Sequence, residues 1–315
     1  MSREALSAAI REVVQGDLAA LDDVLLRVHA WQHANDPVLR ALIAEPATRV
    51  DAIPAVPVAL FRELDVGTVR PDEPHQAFHT SGTTVGRPGI HRMRDTALYD
   101  LGCRTHAARW LPSTTQTFGL MADSPHSSLA HMVRDFADRT GPVRFLISDT
   151  LDLEALSAID APTFVCATAF ALDAWLQASP RPLPSGSCIM VTGGFKGRVH
   201  ALEADALLDA AAALAPVLLE YGMTELSSQL WARHGEPYTP PPWLRVTAVE
   251  PTTGAALPPG VPGQLRFLDL CNLDGTLHVE TLDEGVVHAD GRVTLHGRLP
   301  DAPARGCSLA VEDLL

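Results

Sequence analysis

The chain opens with apolar residues at helical spacing, Leu6, Ile10 and Val13, followed by Leu25, Val28 and Trp31, so residues 1–45 read as helices. The start, MSREALSAAIREVVQGD, alternates charge with apolar residues and reads as an amphipathic helix rather than a signal peptide. In IPAVPVALFREL, Pro54 and Pro57 oppose helix until about Ala59. From about residue 78 the pattern becomes loop, helix, strand, helix, strand. Short apolar runs bounded by turn residues predict strands buried on both faces at 117–122, 143–147, 163–167, 188–192 and 217–220. Between them, HSSLAHMVRDFADRTG sets Leu129, Met132, Val133 and Phe136 on one helical face, with Gly141 ending the run, and HALEADALLDAAAALAP is a second helix. This alternation predicts an α/β domain with a largely parallel sheet. Beyond TPPPW the pattern changes to LRVTAVEP, GQLRFLDL, LHVETLDEG and GRVTLHGR, strands linked by glycine turns. The expected division is an α/β core with N-terminal helices over 1–240 and a β-rich subdomain over 241–315.

A chain of 315 residues suffices for one large domain or two tightly associated lobes. No run approaches the roughly 18 apolar residues of a membrane span, and a soluble cytoplasmic protein is expected. The net charge of −14 argues against nucleic acid, whose binders carry a basic stripe that displaces counterions. Any polyphosphate site must then be a local basic island in an acidic body. Cys103, Cys166, Cys188, Cys271 and Cys307 are widely spaced and odd in number, with no CxxC or Cys/His cluster, so reduced thiols are expected rather than disulfides or zinc. Of the 24 basic residues only Lys196 is a lysine. Arginine replaces lysine cheaply on an exposed face, but not where a compact point charge is needed. Lys196 is therefore a candidate for a role arginine cannot fill; the plain alternative is that one lysine survived by chance.

Three segments carry candidate chemistry. In His79-Thr80-Ser81-Gly82-Thr83-Thr84-Val85-Gly86-Arg87-Pro88, hydroxylated residues interleaved with glycine let backbone N–H groups and hydroxyls converge on a phosphate, although a plain loop can have this composition. It is not a Walker loop. Thr192-Gly193-Gly194-Phe195-Lys196-Gly197-Arg198 follows a predicted strand; its glycines permit close backbone approach and two cations stand beside them. Glu220-Tyr221-Gly222-Met223-Thr224-Glu225 also follows a strand, where α/β sheets bind ligands. Tyr221 can stack on a base, Thr224 can donate to a phosphate, and Glu225 can hold Mg²⁺.

TSGTTVG, TGGFKGR and EYGMTE, in this order, resemble the phosphate-loop and nucleotide motifs of the adenylate-forming (ANL) superfamily of acyl-CoA ligases, luciferases and adenylation domains. More narrowly, IPAVPVALF, PHSSLAHM, TGGFKGR and the terminal RGCSL look like the acyl-protein synthetase (LuxE-type) family of bacterial luminescence systems, over about residues 50–315. The resemblance implies the ANL-type large N-terminal domain, with layered parallel sheets and a β-rich subdomain, and it implies ATP and Mg²⁺. It places Thr80, Ser81, Gly82, Thr83 and Thr84 around the phosphates and Gly193 and Gly194 along the adenine. Tyr221 of the Tyr221-Gly222 turn would stack on the base, and Thr224 and Glu225 would meet the α-phosphate and Mg²⁺. Asp283 of ETLDEG stands where a ribose-binding aspartate is expected, and Arg298 lies in the following GR motif. The sequence departs from the superfamily at the extra Val85 and at Gly89, where a lysine commonly follows the proline. The chain stops soon after the GR motif, so the superfamily's mobile C-terminal domain and its catalytic lysine are expected to be missing.

Adenylation drives a carboxylate against an anionic α-phosphate, so charge neutralisation must supply most of the catalysis. Lys196 is the candidate to replace the missing lysine, or else a surface lysine flanking a glycine turn. Cys307 in RGCSL is the candidate nucleophile, because Arg305 would favour its thiolate and acyl-protein synthetases park the acyl group on such a near-terminal cysteine. The alternative is a half-buried cysteine ending a strand. Cys103 and Cys166 read as core. His126 and His131 are expected on one helix, where His131 and Asp135 form an HxxxD that is more simply a solvated face. His29 and His33 lack a third ligand for a metal site. The absence of GxSxG weighs against a serine hydrolase. The expected function is ATP-dependent activation of a carboxylic, fatty-type acid and acyl transfer to a protein cysteine, with an acyl-accepting reductase or carrier protein as partner. The competing readings are an acyltransferase loading a carrier or CoA, and a non-catalytic scaffold for a partner reductase.

Overall fold

The computed structural model describes residues 1–73, 75–80, 88–193 and 201–299. Helix α1 (Arg3–Val14) starts where the Ser2 hydroxyl accepts from Ala5 N–H at 3.3 Å, and it buries Leu6, Ile10 and Val13. Helix α2 (Leu21–Asn35) buries Val24, Leu25 and Val28, and Asp36 caps α3 (Pro37–Leu42), which begins with a helix-compatible proline. The apolar faces of α1 and α2 pack against Trp243, Leu268, Leu270, Leu273 and Leu277, residues distant in sequence. The two prolines do hold off helix: β1 (Val56–Pro57) comes first, and α4 (Leu60–Glu63) begins directly after Ala59. Strands β2 (Gln76–His79) and β3 (Ile90–Met93) then form an antiparallel pair, followed by α5 (Ala97–Ala107).

The centre of the molecule is a six-stranded sheet. Its elements run β4 (Gln116–Ala122), α6 (Ser128–Asp135), α7 (Ala137–Thr140), β5 (Val143–Ile147), α8 (Leu153–Ser157), β6 (Thr163–Thr168), α9 (Ala169–Gln177), β7 (Cys188–Thr192), α10 (Ala201–Ala212), β8 (Val217–Tyr221) and β9 (Leu230–Arg233). The spatial order is β5-β4-β6-β7-β8-β9, parallel throughout except for β9 at the edge. Every residue of β6 and β7 is buried, because helices cover both faces. Val165, Ala167, Ile189 and Val191 face a core with α9, while Phe164, Cys166 and Met190 face one with α5 and α6.

The helix expected from His126 to Gly141 is two helices broken at Phe136, ended by Gly141 at φ +85°. Its start differs from expectation. The Ser127 hydroxyl accepts from Ala130 N–H at 3.1 Å and caps α6, which leaves His126 outside the helix.

A second sheet contains β10 (Leu244–Val249), β11 (Pro262–Asp269), β12 (His278–Val287) and β13 (Val293–Arg298). All pair antiparallel, and β1 from the N-terminal segment adds in parallel along β12. The loop between β11 and β12 is tied from several sides. Buried Gln32 on α2 donates to the carbonyls of Asn272 and Leu273 at 2.8 and 2.9 Å and accepts from Leu277 N–H at 3.0 Å. Arg3 on α1 forks onto Asp274 at 2.7 and 2.6 Å. The N-terminal helices thus brace a loop that reaches the candidate site. Among the described residues no helix is long and apolar enough to cross a membrane.

Candidate functional site

The site lies at the carboxyl ends of β7 and β8, the end of a parallel sheet at which α/β proteins bind ligands, and there β8 meets the second sheet through Tyr221 and Phe267. Strand β7 ends at Thr192, followed by Gly193 at φ +80°, a conformation glycine adopts freely; a side chain there would meet nothing within 4 Å among the described residues. Strand β8 ends at Glu220 and Tyr221. The Thr192 hydroxyl donates to Glu220 Oε2, joining the two strand ends. Burial pushes the Glu220 carboxyl up to about 7 against the smaller downward pull of that hydrogen bond. Gly222 follows where a Cβ would lie 2.6 Å from Glu220 Oε1, so the turn passes too close for a larger residue.

On the other side of β8, Tyr221 stacks on Phe267 of β11, with ring centroids 5.5 Å apart, and meets Tyr238 edge-on. Its hydroxyl donates to Asp283 Oδ2 at 2.7 Å. Asp283 is itself the cross-strand partner of Arg298, whose Nε lies 3.4 Å from Oδ1. Three residues singled out in sequence, Tyr221, Asp283 and Arg298, therefore meet in one cluster, built by β8, β12 and β13 around the buried Asp283 carboxylate.

The turn after Tyr221 is fixed through its backbone. His91 Nδ1 lies 2.7 Å from Thr224 O, and Asn272 Nδ2 donates to Glu225 O at 2.8 Å. Asp269 accepts from Ser227 N–H and the Ser228 hydroxyl at 2.8 and 2.7 Å. Thr224 and Glu225 are both buried. At the hydroxyl-glycine segment, Thr80 and Gly89 close the connection between β2 and β3: Thr80 N–H donates to Gly89 O at 2.8 Å, and Gly89 N–H to Thr80 Oγ1 at 2.7 Å. Ser81, Gly82, Thr83, Thr84, Gly194, Lys196 and Cys307 lie outside the described residues.

Two histidine readings change. His131 does not pair with Asp135: it lies 2.7 Å from Asp100 of α5, while Asp135 pairs with Arg104. Docking of α6 against α5 sets these partners, so the spacing within α6 does not. His126 instead stacks on His79 at 4.4 Å, beside the hydroxyl-glycine segment. Cys103 and Cys166 are fully buried core residues, and burial raises both thiols well above their ordinary range. The residues that sequence reasoning passed over are His91 and Asn272, and Thr192 enters it only as the start of a glycine segment. Glu220 carried one signal, an acid at the end of the apolar run VLLE.

No family model matches the chain, and no curated protein sequence matches it. Solved structures do. The chain is similar to ATP-bound MatB from Rhodopseudomonas palustris over 70% of its length and 47% of that protein's, at 16% identity with a TM-score of 0.54. It is similar to o-succinylbenzoate–CoA synthetase from Bacillus subtilis, solved with the acyl-adenylate intermediate, over 71% and 49%, at 16% identity and a TM-score of 0.54. A long-chain-fatty-acid–CoA ligase from Archaeoglobus fulgidus gives 71% and 51%, at 16% identity and 0.52. The fold is that of the large domain of the adenylate-forming enzymes. The chain spans about half the length of these structures.

Proposed function

We propose that the chain activates a carboxylic acid with ATP·Mg²⁺ as an acyl-adenylate and passes the acyl group to the thiol of Cys307. The observation that carries this reading is the cluster of Tyr221, Asp283 and Arg298 at the carboxyl end of β8, next to the strand end that leads into Gly193. The cluster offers what a nucleoside needs: an aromatic edge, a carboxylate for ribose hydroxyls, and glycine where a flat base must approach backbone. Gly194 would extend that glycine wall. Arg298, its cross-strand partner, would hold the Asp283 carboxylate in place. The phosphates would lie towards Thr80 and the Ser81–Thr84 hydroxyls on one side and Thr224 on the other.

Mg²⁺ is typically held by one or two carboxylates together with substrate phosphates. Glu225, next to Thr224 on a turn fixed through its carbonyls, is the carboxylate on offer. When bound, the metal neutralises phosphate charge; Lys196 would offset the charge of the attacking carboxylate. The substrate carboxylate attacks the α-phosphorus, the bond to the β-phosphate oxygen breaks, and pyrophosphate leaves. The Cys307 thiolate then attacks the acyl carbon and expels AMP. The four described cysteines are buried, so none competes as nucleophile from the surface. The acid is of the fatty type, and a reductase or carrier protein would take the acyl group onward.

Incubation with ATP, Mg²⁺ and radiolabelled fatty acids should label the protein, and neutral hydroxylamine should remove the label. Cys307→Ser should lose stable labelling while keeping ATP–pyrophosphate exchange, because adenylation precedes thiol attack. Label that persists in this variant would move the acyl group to another residue and overturn the assignment.

A further inference from the structure

We infer that His91 is a positioning residue which, with Asn272, clamps two successive peptide carbonyls and so sets the direction of Thr224 and Glu225. The inference rests on the adenylation reading above and adds a part that no sequence motif marked. His91 sits on β3, the strand that leaves the hydroxyl-glycine segment, paired in register with Phe78 on β2. It is fully buried, edge-on to Phe61.

A carbonyl oxygen only accepts, so the 2.7 Å contact with Thr224 O requires a proton on Nδ1. Burial, which lowers the basicity of His91, disfavours the charged ring. One residue further on, Asn272 Nδ2 donates to Glu225 O at 2.8 Å and to Thr276 O at 2.8 Å. The two side chains close around Gly275, where a Cβ would lie 2.5 Å from Asn272 Oδ1 and 2.6 Å from His91 Nε2, so any side chain there would push the clamp apart.

Two consecutive carbonyls are thereby held, one from β3 and one from the β11–β12 loop. Past Leu226, Asp269 fixes Ser227 and Ser228, and Gln32 from α2 holds the loop that carries Asn272. The turn bearing Thr224 and Glu225 cannot rotate without breaking buried hydrogen bonds. His91 also ties that turn to the hairpin closed by Thr80 and Gly89, so Thr80 and Thr224 are held by one strand pair. Neither His91 nor Asn272 has to touch the nucleotide for this to act; preorganised geometry is what they supply.

The test is calorimetric binding of ATP·Mg²⁺ to the full chain and to His91→Asn and His91→Gln, with the melting temperature of each. Asparagine places its amide nitrogen where histidine has Nδ1, and glutamine places it one carbon further on. Both variants lose the ring's packing on Phe61 and should melt lower, His91→Gln by more because it also leaves the buried Thr224 carbonyl without a donor. His91→Asn should bind within about threefold of the wild type, and His91→Gln about tenfold or more weakly, since only the latter leaves a buried carbonyl without its donor. Should His91→Gln fail to fold, Asn272→Ser carries the same expectation at the neighbouring carbonyl. Equal losses in both His91 variants, or wild-type affinity in His91→Gln, would overturn the positioning role. Wild-type protein that does not bind ATP·Mg²⁺ would instead overturn the adenylation reading and with it the purpose of the clamp.

Discussion

Glu220 and Tyr221 are neighbours on β8, and successive strand residues face opposite sides of a sheet. On the Tyr221 side, a buried carboxylate, Asp283, has a guanidinium and a phenol hydroxyl as partners. On the Glu220 side, among Tyr99, Cys103 and Cys166, the carboxyl has the Thr192 hydroxyl and no described cation beside it, and burial pushes it up to about 7. The difference shows how one strand end can place a cation-paired carboxylate on one face and an acid that sheds its charge near neutrality on the other. The Glu220 face makes stability depend on pH.

Removing the cation from the compensated side should have the largest effect. Arg298→Met leaves Asp283 buried without its counterion, and breaking a buried pair from one side costs about 3–5 kcal/mol. Urea unfolding at pH 7 measures the loss, and adding Asp283→Asn should restore most of it. A loss below about 1 kcal/mol, the size expected of an exposed pair, would mean that the two faces do not differ as described.

Glu220→Gln sharpens the other side. The folded carboxyl titrates near 7 and the unfolded one near its usual 4.5, so folding favours the protonated form. That stabilisation is complete below pH 4.5 and is lost as pH rises through 7. Above 7 the wild type bears a penalty of about 3 kcal/mol that the amide lacks. Glu220→Gln should therefore match the wild type near pH 5 and exceed it at pH 8. Parallel stability curves across that range would contradict the unpaired-acid description.

Tyr221→Phe should have the smallest effect, about 1–2 kcal/mol, because it removes one hydrogen bond to a charged group while Arg298 and the stack on Phe267 remain. A larger loss than that of Arg298→Met would transfer the compensating role from guanidinium to phenol.

The parts of this arrangement were unequally legible in sequence. The parallel strands stood out because burial on both faces demands continuous apolar runs, as in CIMVT and TFVCAT. The pairing of β1 with β12 and the packing of α1 and α2 beneath the β11–β12 loop did not, since periodicity shows that a face is buried but not against what. Tyr221, Asp283 and Arg298 were found through resemblance to a family, and the fold brings them together. His91 was invisible because its partner Thr224 lies 133 residues away, and a histidine in a short strand has no pattern of its own. The HxxxD of α6 shows a related limit: helix spacing puts His131 and Asp135 on one face, while the neighbouring helix decides that His131 meets Asp100 and Asp135 meets Arg104.

The central claim is that this chain itself forms an acyl-adenylate, and ATP–pyrophosphate exchange tests it most directly. Purified protein is incubated with ATP, Mg²⁺, radiolabelled pyrophosphate and fatty acids of short, medium and long chain, each supplied separately. The account predicts label in ATP that depends on both Mg²⁺ and acid, is strongest for one class of acid, and persists in Cys307→Ser. Tight ATP·Mg²⁺ binding without exchange for any acid would contradict it, leaving a nucleotide site that does not activate a carboxylate.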